Sequence, residues 1–393
     1  MIHPDEAFRL LAEAVTPLPP VRRPLAAAAG TVLAEDVTAT LDFPSAPVAA
    51  MDGYAVRAEE ASGTALPVAF TVAAGDVPPP LPAGCCARIF TGAVVPTGAN
   101  AVVAQEEVTL QGNLVRFPQA IPLRDNIRER GEVFARGETL ARAGEVLHPA
   151  LVGLLAAAGV GRVAVTPKPR VAVVATGSEL AASRPRRGHI RDSNTPMLSS
   201  FLLREGFPLV GRGRVPDQLE DLLSSLGELL PKANVVITTG GVSEGDLDLL
   251  PEAVARLGGE TLFHKVAMQP GKPVLVARIE ERWFVGLPGN PVSALVGFRL
   301  LALPLLRALA GTPHAFAEPW TPLPLLAPVT NGGGRVQFRP AREFRSQGQT
   351  VVEVLPWKGS HDLKAAAAAS CLARLEPRTR SNAGDAVPVL KLF

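Results

Sequence analysis

Hydrophobic residues change their spacing several times along this chain, and each spacing predicts a different kind of element. Over residues 167–312, short apolar runs such as RVAVVATG, ANVVITTGG and RWFVGL alternate with segments whose apolar residues recur at helical spacing. Short β-branched runs predict buried strands, and the longer periodic segments predict helices. Strands that alternate with helices form a mostly parallel sheet covered on both faces. We therefore predict a doubly wound α/β domain over residues 167–312.

The remaining chain has a different texture on either side of that domain. Residues 1–38 and 138–166 carry helical patterns, with MIHPDEAFRLLAEAV as an amphipathic helix and GTVLAEDV as a strand, and form a predicted domain I. Residues 39–137 are rich in Pro, Gly and short β-runs, which is typical of a β-rich domain II. Residues 313–393 follow a proline-rich linker and predict a small β domain IV. The fold class is multidomain α/β plus β, with the doubly wound sheet as domain III.

Composition and charge narrow the class of protein. The chain has 393 residues, 47% hydrophobic and 19% charged, which is typical of a globular protein of two to four domains. The net charge of +2 gives no reason to expect nucleic acid or an anionic membrane as the main partner. Three cysteines, two of them adjacent, do not form a disulfide framework, and we expect them to be small buried hydrophobes in a reducing compartment. The N-terminus lacks the basic start of a signal peptide, so we expect a cytoplasmic protein.

Small, hydroxyl and acidic residues follow three strands of the predicted sheet. The stretches are VVATGSEL, VVITTGGVSEGDLD and WFVGLPGNPVS. Each alone is typical of an ordinary glycine turn or capped helix, but ligands of open α/β sheets bind beyond the carboxyl ends of the strands. Glycine amides and hydroxyls suit phosphate, and carboxylates suit Mg²⁺. The candidate substrate-binding residues are Gly240, Gly241, Gly289, Asn290 and Ser293, and the candidate metal ligands are Asp246 and Asp248.

Two of the few lysines, Lys265 and Lys272, flank the stretch VAMQPG before a predicted strand. They are either solvated surface lysines or cations directed at a bound anion. The stretch MQPGKP is not a Walker A motif, because the GxxxxGK[ST] spacing is missing. In domain II, spacing alone predicts hairpin turns at AMDGYAVR, RIFTGAVVPTGAN and NIRERGEVF.

Taken together, seven stretches resemble the signatures of one family. They are AMDGYAVR, RIFTGAVVPTGANAVV, NIRERGE, ATGSEL, TTGGVSEGDLD, MQPGKP and GLPGNPVSA, and they occur in the family's order along nearly the whole chain. The family is the bacterial molybdopterin molybdenumtransferases (MoeA), which share this region with the C-terminal domain of gephyrin. The resemblance implies a third domain like molybdopterin adenylyltransferase and a fourth that is a small β-barrel.

The resemblance also implies an activity and an assembly. The implied enzyme takes adenylylated molybdopterin and molybdate, releases AMP with the help of Mg²⁺, and forms the molybdenum cofactor. The implied protein is a homodimer whose cleft lies between domains III and IV of one subunit and domain II of the other. The adenylyltransferase and the cofactor-accepting enzymes are possible further partners. Two alternatives remain open at this point: an adenylyltransferase that acts one step earlier, and a non-enzymatic scaffold of the same fold.

The family's functional positions fall on residues of this chain that the resemblance assigns to two groups. The implied catalytic residues are Asp52, Thr91, Glu179, Asp217, Ser243, Asp248 and Lys265. The implied molybdate site contains Lys272, Pro273, Arg339, Ser360 and Gln269.

The chain departs from many relatives at two positions. Val133 stands where many relatives carry an acid, so a metal role there is lost or passes to Glu132. Gln269 stands where some relatives carry a lysine, which removes one positive charge. Since an amide still donates hydrogen bonds, we expect molybdate binding to be weaker but retained.

Overall fold

The chain forms two compact units in a computed structural model that describes residues 1–180, 187–241, 249–317, 320–346 and 348–393. Unit 1 consists of Met1–Val21, Gly30–Val32 and Thr166–Phe393, and unit 2 consists of Arg22–Ala29 and Leu33–Val165. The predicted domains III and IV lie in unit 1, and most of domains I and II lie in unit 2. The boundaries of the four domains stay a prediction.

Most helices occur where the apolar periodicity predicts them, but the helical pattern predicted over residues 138–166 is only partly confirmed. Thr139–Ala141 and Arg162–Thr166 are strands, and the helix is confined to Pro149–Ala157, because Gly144 at φ +89° forms a turn before it. The N-terminal helix buries Ala7 and Leu11 on one face, as an amphipathic pattern requires, and the His3 side chain accepts a hydrogen bond from the Asp5 amide at its start. The α-helices of the described residues are α1 (Pro4–Ala14), α2 (Ala58–Ala61), α3 (Pro149–Ala157), α4 (Asn194–Glu205), α5 (Leu219–Leu229), α6 (Leu250–Arg256), α7 (Pro291–Gly297), α8 (Leu303–Leu309) and α9 (Leu363–Ala368). Short 3₁₀ turns span Leu25–Ala27 and Gln105–Glu107, and a π-helical turn at Phe298–Ala302 joins α7 to α8.

Strands make up most of unit 2 and of the C-terminal region. Those before residue 167 are β1 (Val21–Pro24), β2 (Val32–Leu33), β3 (Val37–Thr38), β4 (Val48–Ala49), β5 (Gly53–Val56), β6 (Ala65–Val72), β7 (Cys86–Ile89), β8 (Ala101–Ala104), β9 (Thr109–Gln111), β10 (Leu114–Arg116), β11 (Ile127–Arg128), β12 (Thr139–Ala141) and β13 (Arg162–Thr166). Those after it are β14 (Val171–Thr176), β15 (Leu209–Val215), β16 (Val235–Thr239), β17 (Glu260–His264), β18 (Met268–Gln269), β19 (Leu275–Ile279), β20 (Arg282–Leu287), β21 (Thr321–Pro324), β22 (Val329–Asn331), β23 (Val336–Ser346), β24 (Gln349–Val354), β25 (Cys371–Leu375), β26 (Thr379–Ser381) and β27 (Ala386–Lys391).

The doubly wound sheet of unit 1 confirms the alternating pattern. Its strand order is β15-β14-β16-β20-β19-β17, with parallel pairing from β15 to β20 and antiparallel pairing beyond. Successive residues of β14 point to opposite faces: Val171 and Val173 pack with α4 and the α7–α8 helix, whereas Ala172 and Val174 pack with α5 and α6. Because both faces are covered at the centre of the sheet, β14, β16 and β20 are buried along nearly their whole length, whereas the edge strands β15 and β17 are partly exposed.

The C-terminal strands form the small barrel that the resemblance implies. A sheet of order β23-β25-β27-β21 carries β24 on the outer side of β23, and an isolated bridge between Leu325 and Val352 links the end of β21 to β24. That bridge closes the ring of strands and leaves Cys371, Ala373 and Val389 among the residues of its interior. Strand β18 extends the sheet by parallel pairing with β23.

Unit 2 is β-rich, as predicted, but differs in two details. Its main sheet has the order β8-β5-β7-β6-β10-β9. Within AMDGYAVR, residues Gly53–Val56 form the buried inner strand β5, which pairs with both β7 and β8. Since β5 separates β7 from β8, the hairpin turns predicted at AMDGYAVR and at RIFTGAVVPTGAN are both wrong. The predicted strand GTVLAEDV is divided into β2 and β3 by a bend at residues 34–36. Cys86 is buried as expected, but Cys85 is half-buried.

One helical run has the length and composition of a membrane span. Pro291–Leu309 in the described chain has a mean hydropathy of 1.7, and 89% of it is buried inside the protein. A buried apolar helix of this kind is typical of a protein core, and its side chains fill the space behind the doubly wound sheet.

Candidate active site

The loops that follow β14, β15, β16 and β20 meet at one edge of the doubly wound sheet. They line a cleft of about 740 Å³, here named the strand-end chamber. Parallel strands end at the same edge, so residues far apart in sequence come together there. The candidate residues that line this chamber are Glu179, Asp217, Gly240, Gly241, Pro273, Gly289 and Asn290.

Two reciprocal hydrogen bonds hold the first pair of loops together. The Ser178 amide donates to Asp217 Oδ2 at 3.0 Å, and the Asp217 amide donates to Ser178 Oγ at 3.3 Å. The Asp217 carboxylate is thereby fixed at the wall of the chamber. The carboxylate of Glu179 turns back towards Gly177, where an added Cβ would lie 2.6 Å from Glu179 Oε2. Two carboxylates are therefore present at this end of the cleft.

The second pair of loops approaches so closely that glycine is required. Gly240 has φ +94°, and a Cβ built on it would lie 2.3 Å from the Thr176 carbonyl oxygen. Its amide donates to the Leu287 carbonyl at 2.9 Å, which ties the end of β16 to the end of β20. A Cβ on Gly289 would lie 3.6 Å from Gly240 Cα, an ordinary contact distance. The backbone at Gly240 is therefore the tightest point of the strand-end chamber.

The loop before α4 also lines the chamber, although none of its residues is among the candidates predicted from the sequence. Asp192 Oδ1 accepts the amides of Asn194 and Thr195 at 3.0 Å each. Asn194 is 7% exposed and its Nδ2 donates to the Gly289 carbonyl at 2.8 Å, which joins this loop to GLPGNPVS. The signal that could have found it is the Asp-Ser-Asn run before an apolar helix, a typical helix start.

Helix α7 begins as the sequence predicts, with Asn290 at the N-cap and Pro291 at the first helical position. The Asn290 side chain makes no capping hydrogen bond, however, and lines the cleft instead. In the first turn of α7, Pro291 has no N–H and the Val292 amide donates to the Ser360 carbonyl at 2.9 Å, so the helix start is tied to the loop that carries Ser360.

A second chamber of about 430 Å³, here named the lysine chamber, adjoins the first. The two share Pro273, Pro288, Asn290 and His361 in their walls. The candidate residues that line the lysine chamber are Gln269, Lys272, Pro273, Asn290, Ser293 and Ser360. Arg335, Trp357, Lys358 and His361 line it as well and were not selected from the sequence. The chamber is rich in cations and hydrogen-bond donors.

Arg339 reaches the lysine chamber indirectly. Its guanidinium stacks over the ring of Trp357, 5.0 Å from the centroid, and Trp357 is part of the chamber wall. Burial lowers the pKa of Arg339, and within the described chain its Nε has no hydrogen-bond partner. Arg335, four residues earlier, lines the chamber itself.

Lys265 lies beside β19 and is absent from the described walls of both chambers. Its backbone has φ +70°, an unusual conformation for a residue with a side chain. The Lys265 amide donates to the Val274 carbonyl at 2.9 Å, and the Lys265 carbonyl accepts from the Ile2 amide at 3.1 Å. These contacts hold the strained turn in place, and its assignment as catalytic stays a prediction.

The two candidates of unit 2 contact each other directly. The backbone amide and the hydroxyl of Thr91 donate to Asp52 Oδ1 at 2.7 and 2.6 Å. Both bonds lower the pKa of Asp52, and the bond from the Thr91 hydroxyl has the larger effect. The Asp52 carboxylate is therefore charged at neutral pH. Val133 is 55% exposed, and the carboxylate of its neighbour Glu132 accepts the Glu129 amide at 2.7 Å.

The metal ligands expected from the sequence lie outside the described residues. Asp246 and Asp248, together with the catalytic candidate Ser243, fall within 242–248. In the ranges that the structure does describe, no group of three or more His, Cys, Asp or Glu side chains is arranged to hold a metal ion. Glu179 and Asp217 nevertheless present two carboxylates to the strand-end chamber, and Mg²⁺ prefers one or two carboxylates with phosphate oxygens. The donor set fits Mg²⁺ bound together with a phosphate-bearing substrate.

The fold defines a multidomain α/β protein with a cleft at the carboxyl ends of its parallel strands. Three family models match it: the MoeA N-terminal region (domain I and II) over residues 2–159, a probable molybdopterin binding domain over 172–308, and the MoeA C-terminal region (domain IV) over 322–392. Together they account for most of the chain.

Whole-length relatives agree with these matches. The chain is 38% identical to molybdopterin molybdenumtransferase 2 of Mycobacterium tuberculosis, covering 94% of both chains, and 34% identical to molybdopterin molybdenumtransferase of Haemophilus influenzae, covering 92% of this chain and 91% of the relative. The crystal structure of a molybdopterin biosynthesis MoeA protein from Pyrococcus horikoshii has a TM-score of 0.80 at 27% identity, covering all of both chains. The chain belongs to the molybdopterin molybdenumtransferase (MoeA) family.

Proposed function

We propose that this protein transfers molybdenum from molybdate to adenylylated molybdopterin, with release of AMP. The observation that carries the proposal is the pair of adjoining chambers. One has carboxylates and glycine-rich loops, and the other has lysines, an arginine and hydroxyls. Their shared wall would allow a phosphate-bearing substrate and a tetrahedral oxyanion to bind side by side.

The chemistry of each chamber supports its proposed role. Molybdate is a dianion, and Lys272 with Ser360 and Gln269 supplies a cation and neutral donors for it. The strand-end chamber, at about 740 Å³, is within the usual range for a nucleotide-sized ligand. Glu179 and Asp217 would hold Mg²⁺ there. Asp246 and Asp248 stay ligands predicted from the sequence alone. When bound, Mg²⁺ would offset the charge that develops on the departing AMP phosphate.

Residues of this chain would position the carboxylate, contact the substrate and attract the oxyanion. The Ser178–Asp217 hydrogen bonds keep the carboxylate in position, and Asn290, whose side chain makes no capping bond, presents its amide group at the wall that both chambers share. Lys272 draws the oxyanion into the adjoining chamber. Proximity of the two ligands then replaces a bimolecular encounter.

The proposal extends to assembly and location. We propose a cytoplasmic homodimer in which Asp52 and Thr91 of the partner subunit act at the cleft, as the resemblance implies. Mixing Asp52→Ala subunits with Lys272→Ala subunits tests this. Restored AMP release in the mixture supports a shared site, and two inactive proteins that stay inactive after exchange of subunits contradict it.

The main experiment measures AMP release from adenylylated molybdopterin with Mg²⁺, with and without molybdate, and with tungstate in a parallel arm. We expect release that depends on the oxyanion. Asp217→Asn should lower it at least about tenfold, since loss of a metal-positioning carboxylate has effects of that size, while an amide oxygen still accepts from Ser178. The matched control is Asp221→Asn, an exposed acid on α5, which should leave release unchanged. Consumption of ATP without release of AMP would instead indicate an adenylyltransferase.

A further inference from the structure

Two glutamine side chains lie next to each other behind the lysine chamber. Strands β18 and β23 pair in parallel with Gln269 opposite Gln337, although the two residues are 68 positions apart. Gln269 lines the chamber, whereas Gln337 is 9% exposed and is absent from the chamber's described wall. The Arg335 guanidinium donates to the Met268 carbonyl at 3.3 Å and links the two strands further.

The two glutamine side chains form one hydrogen bond, in which Gln337 is the donor and Gln269 the acceptor. Gln337 Nε2 donates to Gln269 Oε1 at 3.3 Å, and Gln337 Oε1 is buried without a partner in the part of the chain that the structure describes. A glutamine has one carbonyl acceptor and one NH₂ donor. Since the Gln269 oxygen accepts from Gln337 and Gln269 lines the chamber, its NH₂ group is left as the donor for a ligand there.

We propose that Gln337 is a positioning residue that orients the Gln269 amide, so that Gln269 serves as a neutral hydrogen-bond donor to the oxyanion in the lysine chamber. The inference rests on the proposed function, which assigns molybdate to that chamber. A carbonyl oxygen turned into the chamber would repel a dianion, whereas an NH₂ group binds it. The orientation therefore decides whether a neutral side chain at this position helps or opposes binding.

The test is the molybdate dissociation constant of the full-length protein, measured by titration calorimetry for Gln337→Glu and Gln337→Met at about pH 8. A carboxylate only accepts, so Gln337→Glu forces Gln269 to turn its NH₂ away from the chamber. We expect binding at least about tenfold weaker, the usual effect of one hydrogen bond to a charged group. Gln337→Met keeps the volume but removes the restraint, and we expect a loss of roughly twofold, because the freed amide still adopts the productive orientation part of the time.

The pH dependence separates orientation from packing. Burial raises the pKa of the introduced carboxyl, so at about pH 5.5 its protonated form donates again to Gln269. The ratio of the variant's dissociation constant to that of the native protein should then fall towards one. Equal weakening by both variants, or a ratio that does not change with pH, would mean that Gln337 only packs. Unchanged binding in Gln337→Glu would mean that the amides pair in the opposite direction.

Two further variants keep the proposal testable. If Gln337→Glu does not fold, Gln269→Met replaces it: binding about tenfold weaker supports a donor at this position, and unchanged binding refutes it. Lys272→Ala tests the chamber itself. If Lys272→Ala weakens binding and the glutamine variants do not, the orientation proposal fails and the molybdate site stands. If none of them affects binding, the oxyanion binds elsewhere and both proposals fail.

Discussion

Replacing Gly240 with alanine should destabilise unit 1 strongly, because two separate costs add at this position. The φ of +94° places a side-chain residue in the left-handed half of backbone space, at a cost of about 1–2 kcal/mol. The added Cβ would also lie 2.3 Å from the Thr176 carbonyl oxygen, so the ends of β14 and β16 must move apart. Forcing extra volume into a packed region costs about 1–3 kcal/mol. The sum is about 2–5 kcal/mol.

Gly289 provides a matched control in the same cleft. Its Cβ would be 3.6 Å from Gly240 Cα, and its φ does not lie in the left-handed region. We expect Gly289→Ala to change the free energy of unfolding by less than about 1 kcal/mol, with a small gain from the reduced freedom of the unfolded chain. The two variants add the same methyl group at neighbouring positions, so their difference isolates backbone strain and contact.

Thermal unfolding of both variants, followed by circular dichroism, is the assay. A domain of this size loses roughly 2–4 °C for each kcal/mol, so Gly240→Ala should lower Tm by at least about 4 °C and Gly289→Ala by far less. AMP release by Gly240→Ala should also be lost at a lower temperature than AMP release by the native protein. Equal Tm values for Gly240→Ala and the native protein would refute the reasoning, since neither cost could then be present.

Two other predictions concern side chains away from the cleft. A thiol reagent at about pH 8 should modify Cys85 quickly and leave Cys86 and Cys371 unmodified until the protein unfolds. The reason is that burial raises the pKa of both Cys86 and Cys371 to about 11. Two or three rapidly modified thiols in the native protein would contradict this. Asp5→Asn should lower stability by up to about 1 kcal/mol at neutral pH, because Asp5 forms two bonds to Arg374, at 2.7 and 3.0 Å, which lower its pKa below 3.8. The stabilisation by this ion pair is present above the ordinary pKa of Asp5 and is lost as the pH falls through its lowered pKa. The free energies of unfolding of the variant and the native protein, measured in urea, should therefore converge in acid. A difference that persists in acid would argue against the ion pair.

The alternation of apolar strands and helices determined the central sheet from the sequence alone. Runs such as RVAVVATG form buried strands because every residue in them can face a covering helix, and this is a local property of composition. The start of α7 at Asn290 and Pro291 is equally local, because it follows from the fixed φ of proline and the missing N–H. The family resemblance rests on short motifs that are readable for the same reason.

Tertiary structure decided which of those motifs act together. Ser178 and Asp217 pair because two parallel strands end side by side, and Gln269 meets Gln337 through a strand register that joins residues far apart in sequence. Local patterns contain no information about such registers, which depend on the packing of whole strands. Arg335 entered the site in the same way, whereas Arg339 turned out to stack on an aromatic ring behind it. Local patterns identified most elements and the chemistry they carry. Their partners depend on the arrangement of the sheet, which brings distant segments of the chain into contact.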